Sequence, residues 1–114
     1  MKLAADAILA AWLEQLSGRP EDFDLDAGNR SKHRKHGVEP QDVEALFRHR
    51  TVFLGRIVEP AHEELRGLLL GQDTSGRRLT LVFTRRGARL RPVSCRAMRP
   101  QERKVYEEAI AEED

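Results

Sequence analysis

The sequence of 114 residues lacks several features that define whole classes of protein. Cys95 is its only cysteine, so neither an internal disulfide nor a cysteine-based metal cage can form. No apolar run approaches the roughly 20 residues that a membrane-spanning helix needs. Asp6 and Glu14 interrupt the apolar N-terminal pattern, which is unlike a signal peptide. We therefore expect a single domain in a reducing cytoplasm, with no role in a membrane.

Acidic residues are also missing from one long stretch of the chain. The formal net charge is only +1, yet no Asp or Glu occurs between Thr74 and Gln101. The same stretch carries eight arginines, at positions 77, 78, 85, 86, 89, 91, 96 and 99. Such a local basic surface favours an anionic partner, which the charge of the whole chain would hide.

The first half of the sequence predicts helices. Apolar residues recur at helical spacing from Leu3 to Leu16, and we assign residues 1–20 to an amphipathic helical extension and residues 21–114 to the main domain. A short basic helix is predicted to end at His36, with Gly37 in the following position. A further helix is predicted in PQDVEALFRH, beginning near Pro40.

The second half predicts strands and a closing helix. Four runs rich in branched residues are separated by Gly, Asp and Ser, and the last three should form an antiparallel meander; the runs are TVFLGRIV, LRGLLLG, RRLTLVFTR and ARLRPVSCRA. The segment PQERKVYEEAI predicts a final helix with Val105 and Ile110 facing inward and Tyr106 in the core. The expected fold is α+β, with helices packed on the meander.

Pro92 decides how the last strand presents its side chains. Without a bulge, alternation places Arg89, Arg91, Val93 and Cys95 on one face and Leu90, Ser94 and Arg96 on the other. Proline lacks the amide donor, so Pro92 belongs on an edge strand or at a bulge, and a bulge would change this assignment. An arginine on a half-covered strand needs an acidic partner or an anionic ligand, and Glu102 is the candidate partner for Arg91 or Arg96.

The segment SKHRKHGV, residues 31–38, concentrates basic and imidazole side chains. A metal site at His33 and His36 is disfavoured, because Lys32, Arg34 and Lys35 oppose a bound cation and no carboxylate or thiol joins at ligand spacing. Phosphate binding suits the same side chains, and a neutral imidazole can also exchange protons. A solvated basic helix surface is the alternative, and the acid-free arginine stretch favours phosphate.

Two parts of the chain together resemble a known family. FDLDAGNRSKHRKHGVEPQDVEALF is similar to the opening of the BrnT family of bacterial toxins, with a basic helix ending in KHGV and an acidic helix ending in Phe47. TSGRRLTLVFTRRGARLRPVSCRAM and ERKVYEEA resemble the hairpin, arginine-rich strand and closing helix of that family. The resemblance extends from Phe23 to about Ala109.

The resemblance implies a RelE-like fold and a ribonuclease that cuts RNA without metal or cofactor and arrests translation. It assigns Lys35 and His36 as general base or phosphate donor, and Arg66, Arg91 and Arg96 as binders of the phosphate and the transition state. We expect six further residues to bind the substrate, namely Lys32, Arg34, Arg77, Thr84, Arg89 and Ser94.

The resemblance also implies a partner, a BrnA-like antitoxin that carries a DNA-binding domain, so that operator DNA is contacted only through the antitoxin. A homodimer and a heterotetramer with the antitoxin are both compatible with the sequence. Two other functions stay open. One is a non-catalytic module of the same fold that binds nucleic acid or docks a protein, and the other is a structural subunit whose basic face docks an acidic chain.

Overall fold

The computed structural model describes residues 1–25 and 39–112. Within these ranges lie five strands, three α-helices and a 3-10 helix at Pro20–Asp22. The strands are β1 Lys2–Ala4, β2 Val52–Glu59, β3 Gly67–Gln72, β4 Arg78–Arg86 and β5 Arg89–Ala97, and the helices are α1 Ala7–Leu13, α2 Pro40–Leu46 and α3 Pro100–Ala111. The basic helix predicted to end at His36 lies outside the described residues.

The five strands form one antiparallel sheet in the order β1-β2-β3-β4-β5. The α+β class and the meander of the last three strands are therefore confirmed. The prediction of about four strands missed β1, because Leu3 was assigned to the first helix. The helix begins only at Ala7, where the carboxylate of Asp6 accepts a hydrogen bond of 2.9 Å from the backbone N–H of Leu9.

One face of the sheet carries the main apolar core. Leu9, Trp12 and Leu13 of α1 and Val43 and Leu46 of α2 are buried in one cluster with strand residues. The strand residues that face them are Leu69, Leu79, Leu81, Phe83, Leu90 and Cys95. We call this side of the sheet the core face. Residues 1–20 thus contribute both a strand and a buried helix face to the same unit as the rest of the described chain.

The opposite face of the sheet, which we call the open face, is only partly covered by α3. Tyr106 is fully buried there, as predicted, and its hydroxyl donates to the carbonyl of Arg50 at 2.7 Å. Gln72 in turn donates to the Tyr106 hydroxyl at 3.0 Å. The prediction that Val105 faces inward was wrong, since Val105 is 43% exposed. The neighbouring Tyr106 is instead the side chain that anchors α3 to the sheet.

A bulge in β5 sets the faces of the arginines. Phe83 pairs with Pro92 and Val82 pairs with Ser94, so Val93 is an extra residue without a partner of its own. The alternation therefore shifts at this point, and Leu90, Pro92 and Cys95 all lie on the core face. Arg89, Arg91, Ser94 and Arg96 lie together on the open face. The assignment expected for a regular strand was wrong, because it separated Arg91 from Ser94 and Arg96.

Candidate functional site

A row of polar side chains crosses the open face at the end away from α3. Thr84 of β4 lies directly opposite Arg91 of β5. Arg66 precedes Gly67, which pairs with the core-facing Phe83, so alternation places Arg66 on the open face beside Thr84. The Thr84 hydroxyl donates to the backbone carbonyl of Leu65, which fixes the start of β3 against β4. The fold thus brings three of the residues predicted from the sequence into one row.

Arg66 carries a buried donor that lacks an acceptor. Its Nη2 lies 3.4 Å from Oε1 of Glu64, but its Nε is buried and has no hydrogen-bond partner among the described residues. Buried polar atoms in folded proteins are nearly always hydrogen-bonded, and leaving one unsatisfied typically costs about 1–3 kcal/mol. Because this Nε is shielded from solvent, an anion would meet Arg66 through the rest of its guanidinium, and the side chain as a whole is 27% exposed.

Two carboxylates lie between the arginines of this end. Asp24 Oδ2 is 3.9 Å from Arg91 Nη1 and 4.0 Å from Arg86 Nη1, while Glu64 Oε2 is 4.0 Å from Arg86 Nη2. These separations exceed hydrogen-bond length, and such half-exposed pairs typically contribute only about 0–1 kcal/mol. Arg86 also lies directly opposite Arg89, a pair of like charges that repel each other. Each of these ion pairs is therefore weak.

Arg96 is held differently from Arg66 and Arg91. Its Nη1 and Nη2 donate to the two carboxylate oxygens of Glu102 at 2.7 and 3.0 Å. The same carboxylate accepts from the Thr80 hydroxyl at 3.0 Å and from the backbone N–H of Arg99 at 2.8 Å. Burial alone would raise the pKa of Glu102, but these hydrogen bonds outweigh it and lower the pKa to about 2. Through Thr80 and Arg96, the Glu102 carboxylate therefore joins both β4 and β5 to the first turn of α3.

The remaining predicted residues divide by position. Ser94 shares the open face with the row, and Arg89 is exposed at the start of β5. Arg77 lies at the other end of β4, where its Nε is 3.0 Å from Asp73 and its Nη2 is 3.1 Å from Asp42. The fold therefore does not bring Arg77 to the row. Four predicted residues lie outside the described ranges, namely Lys32, Arg34, Lys35 and His36.

Sequence reasoning missed Asp24 and Glu64. Asp24 reaches the arginines because Phe23 forms a parallel bridge with Leu90 and the backbone N–H of Asp24 donates to the Leu90 carbonyl at 2.9 Å. The sequence around Asp24 does not predict this pairing, because it depends on a short parallel bridge to the edge strand β5. Glu64 lies in the connection between β2 and β3, where no motif marks it. Arg86 belonged to the acid-free stretch but had not been singled out.

The described residues offer neither a reactive thiol nor a cluster of metal ligands. Burial raises the pKa of the Cys95 thiol to about 12, so it is not a reactive thiolate. Among residues 1–25 and 39–112, no group of three or more His, Cys, Asp or Glu is arranged to hold a metal ion. No helix in the described part of the chain is long and apolar enough to cross a membrane.

The geometry defines a small α+β protein with an arginine-lined sheet face suited to a polyanion. The family model described as "Ribonuclease toxin, BrnT, of type II toxin-antitoxin system" matches residues 26–102, more than half of the chain. The chain belongs to this family, as its resemblance predicted, and its class is that of the ribonuclease toxins whose partner is an antitoxin. A search of curated proteins found no match.

Proposed function

We propose that this chain is a metal-independent endoribonuclease that cleaves RNA in the cytoplasm and thereby arrests translation. The observation that supports this proposal most directly is the row of Arg66, Thr84 and Arg91, which sets two arginines and a hydroxyl on one face of the sheet. Guanidinium groups match phosphate oxygens in charge and geometry. Family membership supplies the ribonuclease class.

The proposed reaction is an intramolecular displacement at phosphorus. A general base removes the proton of the ribose 2′-hydroxyl, and the 2′-oxygen forms a bond to the adjacent phosphorus. The bond from phosphorus to the 5′-oxygen of the next nucleotide then breaks, and that oxygen takes up a proton. The products are a 2′,3′-cyclic phosphate and a 5′-hydroxyl end, so atoms and charge balance without a co-reactant.

The arginine row takes the electrostatic part of this reaction. Arg66 and Arg91 would hold the non-bridging oxygens, whose negative charge increases in the pentavalent transition state. Thr84 keeps β3 and β4 aligned, and Ser94 offers a hydroxyl on the same face. Arg96, fully engaged by Glu102, would fix the strand that carries Arg91 rather than move with the substrate.

The proton transfers are assigned to Lys35 or His36, as the family resemblance predicts. Lys32, Arg34 and Arg89 would bind phosphates that flank the scissile bond, where each contact adds affinity that falls with salt. A BrnA-like antitoxin is proposed as the inhibitor, and operator DNA would be contacted only through that partner. A homodimer and a heterotetramer remain the two proposed assemblies.

The experiment compares Arg91→Ala with Arg103→Ala on a defined RNA in excess EDTA. Arg103 is an exposed arginine of α3 that lies outside the row, so it controls for loss of one positive charge. We expect Arg91→Ala to lower the cleavage rate by about 100- to 1000-fold, the usual effect of losing one positioned donor to a developing oxyanion. Arg103→Ala should stay within about 2-fold of the unsubstituted chain.

The outcome separates the candidate functions. Cleavage that survives chelation and depends on Arg91 supports the nuclease proposal. Cleavage abolished by EDTA would refute metal independence, and equal activity of the two variants would refute the role of Arg91. Salt-dependent RNA binding without any cleavage would favour the non-catalytic module instead. Growth arrest on induction, with protein synthesis followed by isotope incorporation, tests the effect on translation.

A further inference from the structure

A shallow apolar groove lies on the open face beside α3. It has a volume of about 370 Å³, and its apolar lining comes from β1 and the residue before it, from β2, β3 and α3: Met1, Leu3, Leu54, Leu68 and Val105. Met1 is 70% exposed and Val105 is 43% exposed. Leu68 is already buried at 3% exposure, so Met1 and Val105 supply most of the exposed apolar surface, which makes the groove a candidate for binding a partner.

The groove has a positive rim. Arg96 and Glu102 also line it, but their charges compensate each other in the bidentate pair. Arg99, at the N-terminal end of α3, forms no ion pair with a described residue and adds one positive charge to the rim. A matching ligand therefore has apolar side chains for the lining and a carboxylate for Arg99.

The groove is continuous with the arginine row. Leu68 of the groove lies opposite Val82, and Val82 lies opposite Ser94, in the line of residues next to Arg66, Thr84 and Arg91. A chain segment bound in the groove could thus extend across β3 and β4 over the row. One extended partner would then be anchored by apolar contacts and would cover the arginines at its other end.

We propose that this groove binds an amphipathic segment of the antitoxin, with apolar residues against Leu54, Leu68 and Val105 and a carboxylate at Arg99. The family implies an antitoxin as the partner, and an apolar lining with one arginine on its rim suits an amphipathic segment that carries a carboxylate. Met1 and Leu3 lie outside the matched residues 26–102, so part of this surface is supplied by the chain's own N-terminus. The proposal rests on family membership and not on the proposed catalytic residues.

The test compares Val105→Glu with Ile8→Glu, because both place a carboxylate at an exposed apolar position on a helix. Ile8 lies on α1 outside the groove and is 79% exposed. The probe is the purified cognate antitoxin, titrated calorimetrically. We expect Val105→Glu to weaken binding at least 10-fold, because a carboxylate would be buried against apolar groups. Ile8→Glu should change the affinity less than 2-fold.

RNA cleavage without antitoxin is measured on the same samples and should be equal for both variants. Unchanged affinity of Val105→Glu, or equal losses in both variants, would overturn the proposal. Loss of self-association with retained antitoxin affinity would assign the groove to a second copy of the chain and would also overturn it. If no protein cleaves RNA yet only Val105→Glu loses the antitoxin, the proposed nuclease function fails and the groove assignment stands.

Arg99→Ser provides a second variant should Val105→Glu not fold. Serine is a favoured residue at the start of a helix, so α3 should be retained while the charge is lost. We expect antitoxin binding to weaken about 3- to 10-fold and to depend less on salt. An unchanged affinity with an unchanged salt dependence would overturn the assignment of Arg99.

Discussion

The carboxylate of Glu102 provides a test of how α3 is held on the sheet. Glutamate in an unfolded chain titrates near 4.5, whereas the hydrogen bonds from Arg96, Arg99 and Thr80 lower the folded pKa to about 2. At about 1.4 kcal/mol for each pKa unit, this difference corresponds to roughly 3 kcal/mol of stability at neutral pH. The side chain of Glu102 is 14% exposed, so solvent screening reduces this value little.

The pH dependence of this contribution has a definite direction. The folded state binds the proton of Glu102 less tightly than the unfolded state, so its contribution is fully present above pH 4.5. It is lost as the pH falls towards 2. We expect Glu102→Gln to unfold at a temperature roughly 10 °C lower at neutral pH. The stability gap between the two proteins should close between pH 4.5 and 2.

The assay is thermal and urea unfolding followed by far-UV circular dichroism at neutral pH and at two acidic values. Glu108→Gln is the matched control, because Glu108 is an exposed glutamate of the same helix. Asp22 and Asp73 also have lowered pKa values and weaken both proteins in acid, so only the difference between Glu102→Gln and the parent is informative. A gap that is independent of pH, or equal to that of Glu108→Gln, would refute the reasoning.

Three further predictions concern the arginines and the core. Asp24→Asn should raise RNA affinity about 2- to 5-fold at low salt, because a carboxylate beside Arg91 is removed; filter binding measures this, and weaker binding would contradict it. Arg77→Ala should cost about 1–3 kcal/mol in urea unfolding, because Asp73 loses a partner, while the RNA cleavage rate stays unchanged; a loss of cleavage would restore the predicted substrate role of Arg77. Leu81→Ala should cost about 2–5 kcal/mol in the same assay, since Leu81 is fully buried, and a cost below 1 kcal/mol would place Leu81 outside the core.

The sequence predicts most of the sheet because its strands are local. The turns at 73–77 and 87–88 join strands that pair with their neighbours along the chain, so composition and turn residues were sufficient. β1 was missed because it pairs with β2 across about fifty residues, and a three-residue strand leaves no periodic pattern. Tyr106 was placed correctly, but Val105 was assigned to the buried face, because helical periodicity leaves an error of one residue in the face of a short helix.

The candidate site was predictable in its residue types but not in its arrangement. An acid-free run of arginines indicates a basic surface, but which arginines share a face depends on the bulge after Pro92. The sequence offered Glu102 as a partner for either Arg91 or Arg96, and the structure pairs it with Arg96 because both lie at the end covered by α3. Asp24 and Glu64 could not be foreseen, since tertiary contacts alone place them beside the arginines.

The bulge at Val93 also determines where β5 can change in length. Pro92 and Ser94 pair with consecutive residues of β4, so a chain without Val93 would continue with a regular ladder and the same side chains on each face. A deletion elsewhere in the strand would instead exchange the two faces beyond it. Relatives with one residue fewer at this point could therefore keep Arg91, Ser94 and Arg96 aligned. They would lose only the added local twist that the bulge gives to the strand.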